Sequence, residues 1–256
     1  YVYYRLAQVF NRLNKIPEAI EAFKASVKID PAYQASYHEL GVIYDGKLGK
    51  HEDAINQFRK SIQVKDNAYS RTYLSYIYAH RLGNIQEAFK EGLLALKIDP
   101  EEEWAHFHLA GLYQQIGNFK SALIHKKKSA NLRKGRSGHQ HPYAEALIGV
   151  AYTLDLMGNT EKANYNYQKA IKTGESFRHK NFNGYVKVLL SVSDQLALRG
   201  EIGFREGLKL LEKAKTLIKS TADVETPILA QVDSKLGSAY LRKGKLDKAE
   251  GLLKDA

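Results

Sequence analysis

Cysteine is absent from the 256-residue chain, while proline, methionine and tryptophan are scarce at five, one and one residues. Without a thiol there is no disulfide, no cysteine-based zinc finger, no iron–sulfur ligand and no thiol nucleophile. The absence does not fix a compartment, because reducing and oxidising compartments both hold cysteine-free proteins. Long apolar runs are missing too. The stretch Val186 to Val192 is short and carries Lys187 inside it, which is too little to span a bilayer. Tyr1 opens neither a signal peptide nor an initiator-methionine start, so a processed form or an excerpt is expected. Acidic residues are in deficit, with 28 Asp and Glu against 39 Lys and Arg for a formal net charge of +11. That excess leaves acidic protein, nucleic acid and anionic surfaces open as counter-ions. What is present is an ordinary globular share of apolar residues, 44%, and 17 tyrosines. The length fits one large domain, two modest ones or an array of small repeats.

Self-similarity decides among these. Turn-forming residues recur at Asn14, Gly49, Gly83, Gly117, Gly158, Gly200 and Gly244, at successive intervals of 35, 34, 34, 41, 42 and 44. Five residues after six of them stands an alanine: Ala19, Ala54, Ala88, Ala122, Ala163 and Ala249; in the sixth unit Gly207 takes that role. Seven residues beyond each of these comes a second small residue, at Ser26, Ser61, Ala95, Ser129, Ala170, Ala214 and Ala256. Apolar side chains between Pro17 and Val27 recur at three- and four-residue spacing, the stripe of an amphipathic helix. Pro17 suits a first helical turn, and Pro31 and Pro100 stop helices. Gly or Asn at each turn permits the left-handed backbone that ends a helix. Each unit therefore reads as two antiparallel helices crossing closely at small residues. One such hairpin cannot bury its own apolar face, so neighbours must stack.

These residues resemble the tetratricopeptide repeat (TPR) family over essentially the whole chain, in seven units. The best match is Ala35 to Asp66, with Tyr37, Leu40, Gly41, Tyr44, Ala54, Phe58 and Ser61 in the family's pattern. Leu236, Gly237, Tyr240, Gly244 and Ala249 follow it again. The third unit departs, with Ser75-Tyr76 in place of the usual Leu-Gly pair, and the later units resemble longer-helix variants. The resemblance implies an all-α fold, a right-handed α-solenoid superhelix of antiparallel helix pairs. Four units of near 34-residue spacing are expected over 1–136, and three longer ones over 137–256, the last incomplete. Tyr1 and Ala256 both fall inside a repeat, which reads as part of a longer protein of this type.

In this family the first helix of each hairpin lines a concave groove, through the second, fifth, ninth, twelfth and thirteenth places of a repeat. Carried over, the expected partner-binding residues are Tyr4, Gln8 and Arg12, then His38, then Tyr73 and His80. Trp104, Phe107 and Gln114 follow, then Tyr152; Asp45, Ile77, Arg81 and Asp155 fall in the same register. Several of these would instead pack between helices in the blander reading. The family's clamp for chaperone C-terminal carboxylates needs Lys, Asn and Arg donors. The corresponding places hold Tyr4, Gln8, Glu39, Ser70 and Leu74, so a chaperone-tail adaptor is not expected.

Between Glu103 and Glu145 no acid interrupts Lys120, Lys126, Lys127, Lys128, Arg133, Lys134 and Arg136. The cluster Lys126, Lys127, Lys128, Arg133, Lys134 and Arg136 suits an acidic segment or a phosphate backbone, or is plain solvated surface. No nucleic-acid motif accompanies it. His139 and His141 could form half a metal site, with no carboxylate seen nearby to complete it. His106 and His108, two apart on a helix, point to different sides. The Gly-rich run Gly200 to Gly207 reads as an enlarged turn, since neither a preceding strand nor a following Gly-Lys-Ser/Thr marks a phosphate loop. Neither a catalytic constellation nor a cofactor or metal site is expected. The reading is a non-enzymatic scaffold binding a partner peptide or helix in its groove, an acidic protein being one candidate partner. Two other readings stay open: the sensor of a regulatory protein that binds a short signalling peptide, and a substrate-recruiting segment of a larger enzyme. Family base rates place such a protein in the cytoplasm, with an exported form also open.

Overall fold

The computed structural model describes residues 1–134, 138, 140–220 and 226–254. Among the described residues there are fourteen helices and no strand. They follow one another as pairs: α1 (Val2–Arg12) and α2 (Ile16–Ile29), α3 (Gln34–Gly46) and α4 (His51–Val64), α5 (Ala68–His80) and α6 (Ile85–Ile98), α7 (Glu103–Gln115) and α8 (Phe119–Arg133). Longer pairs come next: α9 (Gln140–Leu156) and α10 (Thr160–Phe177), α11 (Phe182–Ala197) and α12 (Gly200–Lys219), α13 (Thr226–Arg242) and α14 (Leu246–Lys254). This is an all-α, helix-pair solenoid: α2 packs on α3, α4 on α5 and α6 on α7 in the first half, and α10 on α11 and α12 on α13 in the second.

The chain divides into two compact units, Tyr1–His125 and Lys126–Ala256, with the boundary inside α8. The excess charge is confined to one of them. The first unit carries 15 basic and 14 acidic side chains, the second 24 and 14.

The turns follow from the residues that stand there. Asn14 and the glycines at 49, 83, 117, 158, 200 and 244 all adopt positive φ, between 56° and 78°. That is the left-handed conformation that closes a helix and that β-carbon sterics penalise elsewhere. Side chains then cap the helices that start after the turns. Asn84 Oδ1 accepts from the Glu87 N–H at 3.1 Å, and Asn159 Oδ1 from the Lys162 N–H at 3.2 Å. Pro17 lies in the first turn of α2, and Asp30 and Asp99 are extended where Pro31 and Pro100 end their helices.

Close crossing at small residues sets the distance within each pair. Ala19, Ala54, Ala88, Ala122, Ala163 and Ala249 are all 0% exposed, and Ser26, Ser61, Ala95, Ser129, Ala170 and Ala214 are at most 4% exposed. Ala256 lies outside the described residues. Phe23 and Phe58, fully buried, fill the space beneath these crossings. A β-carbon on Gly41 would meet the Phe58 ring at 2.8 Å, so ring and glycine are matched in shape.

The sixth pair corrects one expectation. The run from Gly200 to Gly207 is the first two turns of α12 rather than an enlarged loop. Its glycines replace the missing alanine: a β-carbon at Gly203 would stand 2.2 Å from the Leu196 carbonyl, and one at Gly207 would stand 2.8 Å from that of Ser193. The α12 backbone thus runs directly against α11, and Ser193 Oγ donates to the Gly207 carbonyl at 3.0 Å. The apolar run Val186 to Val192 is the interior of α11, where Val186, Val188, Leu189 and Val192 are 0% exposed. Among the described residues no helix is long and apolar enough to cross a membrane.

A paired substitution tests the crossing geometry. Gly41→Ala drives a methyl into the Phe58 ring and should destabilise the first unit by about 1–3 kcal/mol. Gly111→Ala, on an exposed stretch of α7 with nothing within 4 Å of the added carbon, should stabilise by about 0.5–1 kcal/mol. Urea denaturation of both variants reads the two signs directly; equal effects would sink the close-packing account.

Candidate functional site

In the first unit, α3, α5 and α7 are the leading helices of successive pairs, and α5 touches both of the others. Four residues of α5 repeat at helical spacing along one face: Tyr69, Thr72, Tyr73 and Tyr76. Opposite them α7 presents Trp104 and His108, and Glu102 caps its N-terminus, with Oε1 accepting from the Trp104 N–H at 3.0 Å. Together these seven side chains line a cavity of about 230 Å³ that opens on the surface.

Aromatic rings carry the surface on from there. Tyr73 stacks on Phe58 with centroids 5.3 Å apart and meets the edge of the His38 ring at 5.2 Å. Tyr76 lies 5.3 Å from His108 and 4.9 Å from His80, and Trp104 lies 5.7 Å from Phe107. Trp104 is 53% exposed and Tyr69 62% exposed, large apolar areas for a folded surface to leave in water.

The sequence-derived groove residues thus fall into separate groups. Tyr73 and Trp104 line the cavity, and His38, His80 and Phe107 border it through ring contacts. Gln114 is half-buried at the far end of α7. On α1, Tyr4 packs against Phe23 and Tyr33, Gln8 donates to its hydroxyl at 2.9 Å, and Arg12 is exposed. Tyr152 is half-buried on α9, in the second unit.

Ile77, read onto the same register, is fully buried in the core. Asp45 is 7% exposed and accepts from His51 Nδ1 at 2.7 Å, with Arg81 Nε at 3.4 Å. Asp155 accepts from the Tyr167 hydroxyl and from Arg199 Nε, both at 3.0 Å, so it serves the inter-helix packing.

Sequence reasoning missed Tyr69, Thr72, Tyr76, Glu102 and His108. The signal was available in the turn spacing. Gly83 follows Gly49 by 34 residues, which carries the place of His38 to Thr72 and that of Val42 to Tyr76. The expected residues Tyr73 and Ile77 stand one place further along the helix than these. One residue on a helix is a rotation of roughly 100°, enough to exchange surface for core.

The basic residues of α8 do not share one exposed face. Lys127 and Lys134 are exposed, while Lys126 is half-buried against Gly149 with its ammonium pushed to lower pKa by burial. Lys128 is half-buried. Arg133 is 5% exposed and donates to the Pro142 carbonyl at 3.3 Å. Arg136 and His139 lie outside the described residues. His141 has a carboxylate beside it after all, since Glu145 one turn later lies 3.6 Å from its Nε2. Among the described residues no group of three or more His, Asp or Glu is placed to hold a metal. His106 and His108 do face different sides: His106 Nδ1 pairs with His125 Nδ1 at 2.8 Å, and His108 faces Tyr76 and His80.

Burial sets the charge state of this region. It pushes His38, His108 and His125 each down to about 4, with His80 adding to the effect on His108 and His106 to that on His125. The same residues titrate near 6.5 in an unfolded chain. A depressed folded pKa means that stability is present above 6.5 and is lost as the pH falls toward 4, because unfolding then takes up protons. The melting temperature should therefore begin to fall between pH 6.5 and about 5, before most carboxylates titrate. His108→Gln should flatten that fall; an unchanged pH profile would contradict the assignment.

Comparison with known proteins agrees with the geometry. The family description Tetratricopeptide repeat matches residues 101–176 and, in a second form, residues 1–33 and 35–67. The human protein named Tetratricopeptide repeat protein 6 is 26% identical over 182 residues, covering 69% of this chain and 33% of that protein. The chain therefore spans about a third of the length of that curated relative. Among solved structures, PilW, a type IV pilus biogenesis factor, superposes with a TM-score of 0.64 at 21% identity, over 83% of this chain and 91% of that one. YrrB, described as a TPR protein with an unusual peptide-binding site, gives 0.51 at 19% identity, over 67% and 84%. At such identities the structural likeness concerns the fold.

Proposed function

The chain belongs to the tetratricopeptide repeat family; from that premise we propose that it is a non-enzymatic protein–protein interaction module that binds a partner peptide on the leading-helix face of its first unit, centred on the cavity between α5 and α7. The observation that carries this reading is the half-exposed Trp104 at the mouth of an aromatic cavity. Aromatic anchors of this kind supply large contact area at low entropic cost and dominate interface energies. The rings are already fixed by one another and by the Phe58 core, so the receptor surface is preorganised and the peptide bears the ordering cost. A peptide-binding site is named for the structural relative YrrB, which supports the same use of the fold here.

The second unit contributes differently. Its excess of 24 basic over 14 acidic side chains attracts acidic segments of a partner and speeds encounter. Exposed Lys127 and Lys134 are the members of the basic cluster placed to act at long range.

The direct test uses peptides selected from a random library on the intact chain. Trp104→Ala should weaken those peptides at least tenfold, about 1.4 kcal/mol, with the melting temperature little changed. Affinity for acidic peptides should fall with added salt, and the double variant Lys127→Gln, Lys134→Gln should reduce that slope. Unaltered affinity in Trp104→Ala for every selected peptide would refute the groove reading. An unaltered salt slope would refute the role given to the basic cluster.

A further inference from the structure

The α5–α7 cavity contains a polar atom that the fold leaves unused. Thr72 is 3% exposed and lines the cavity, yet its Oγ1 has no hydrogen-bond partner. Buried hydroxyls in folded proteins are nearly always paired, so an unpaired one in the wall of a cavity points to a ligand that a turn of the Thr72 side chain would meet. Beside it stands Glu102, 4% exposed and also part of the lining. Its carboxylate accepts from the backbone N–H groups of Trp104 and Ala105, which leaves about two of its four lone-pair sites for a further donor.

Glu102 is the acidic side chain among the residues that line the cavity. No Lys or Arg lines the cavity, and His108 is held neutral by burial, with its pKa down to about 4. The Tyr73 hydroxyl is pushed to higher pKa by burial, and then by the carboxylates of Glu39, Asp45 and Glu102. Tyr69, Tyr73, Tyr76 and Trp104 add the negative faces of their rings. The chain itself demonstrates the affinity of this surface for cations. Arg81, whose charge is matched by Asp45, lies over the Tyr76 ring at 5.4 Å from its centroid.

We propose that the cavity receives the side chain of a lysine in the bound peptide, its ammonium donating to the Glu102 carboxylate and to Thr72 Oγ1 while its stem packs among the four rings. This rests on the groove reading above and specifies what the groove selects. An ammonium suits the site because it brings three donors on a narrow apolar stem. A neutral apolar side chain would leave Glu102 and Thr72 dehydrated without partners, and an acidic one would face like charge. Lysine selection thus belongs to the near-neutral first unit, separate from the attraction of acidic segments to the second.

The test takes library peptides whose binding depends on Trp104 and remakes each with norleucine in place of lysine, which keeps the stem and removes the charge. Norleucine should cost tenfold or more against the unaltered chain. Glu102→Gln, which keeps a capping oxygen, should cost about as much for the lysine peptide and little for the norleucine peptide; Thr72→Val should show the same pattern more weakly. That non-additivity is the signature of a direct contact, and melting curves confirm that each variant folds. Trp104-dependent peptides that tolerate norleucine within twofold, or a Glu102→Gln loss equal for both peptides, would overturn lysine selection and leave the groove reading standing. If no peptide depends on Trp104, both are overturned.

Discussion

The close approach of two helices at a buried small residue is the constraint on which the rest of this structure depends. At each crossing an alanine with no exposed surface, or a pair of glycines in the case of α11 and α12, lets the backbones meet. A larger side chain would separate the helices and open the layer beneath, where Phe23 and Phe58 are fully buried. Within each unit a hairpin then stacks on its neighbour because its own apolar face is too large to cover alone. The left-handed turn residues matter for the same reason, since they return the chain so that the second small residue arrives opposite its partner.

The aromatic surface of the first unit is a by-product of this regularity. Because α3, α5 and α7 repeat at fixed intervals, side chains in equivalent places form a continuous face rather than scattered points. Here that face is aromatic, in two sets of mutually braced rings: His38, Phe58 and Tyr73, and then His80, Tyr76, His108, Trp104 and Phe107. Its stiffness comes from below. Tyr73 stacks on Phe58, and Phe58 fills the space against Gly41. Core packing and site geometry are therefore one problem in this unit. Charge is divided along different lines: the first unit is nearly balanced and the second strongly basic.

Much of the fold was legible in the sequence because its determinants are local and repeated. All seven turn residues have positive φ, and the described alanines and serines at both small positions are buried. The site was less legible, for identifiable reasons. Trp104 and Tyr73 were found, but a one-residue error in repeat spacing exchanged Tyr76 for Ile77, surface for core. Glu102 was not singled out, since nothing in a sequence shows that a carboxylate will cap a helix inside a cavity. Asp45 and Asp155 were read as groove residues, yet their ion pairs come from Arg81 and Arg199, 36 and 44 residues away. The Gly200 to Gly207 stretch misled because glycine more often marks a turn than a close helix contact.

Trp104 is the chain's single tryptophan, so its indole N–H gives one resolved signal at the mouth of the cavity. The most direct test of the account is nuclear magnetic resonance of the labelled protein titrated with a selected peptide. The account predicts that the indole signal shifts together with backbone amides of α5 and α7 around Tyr69, Thr72, Tyr76 and His108, all following one binding curve. Shifts confined to α2, α4 and α6, or to the second unit, with the indole signal unmoved at saturation, would contradict it.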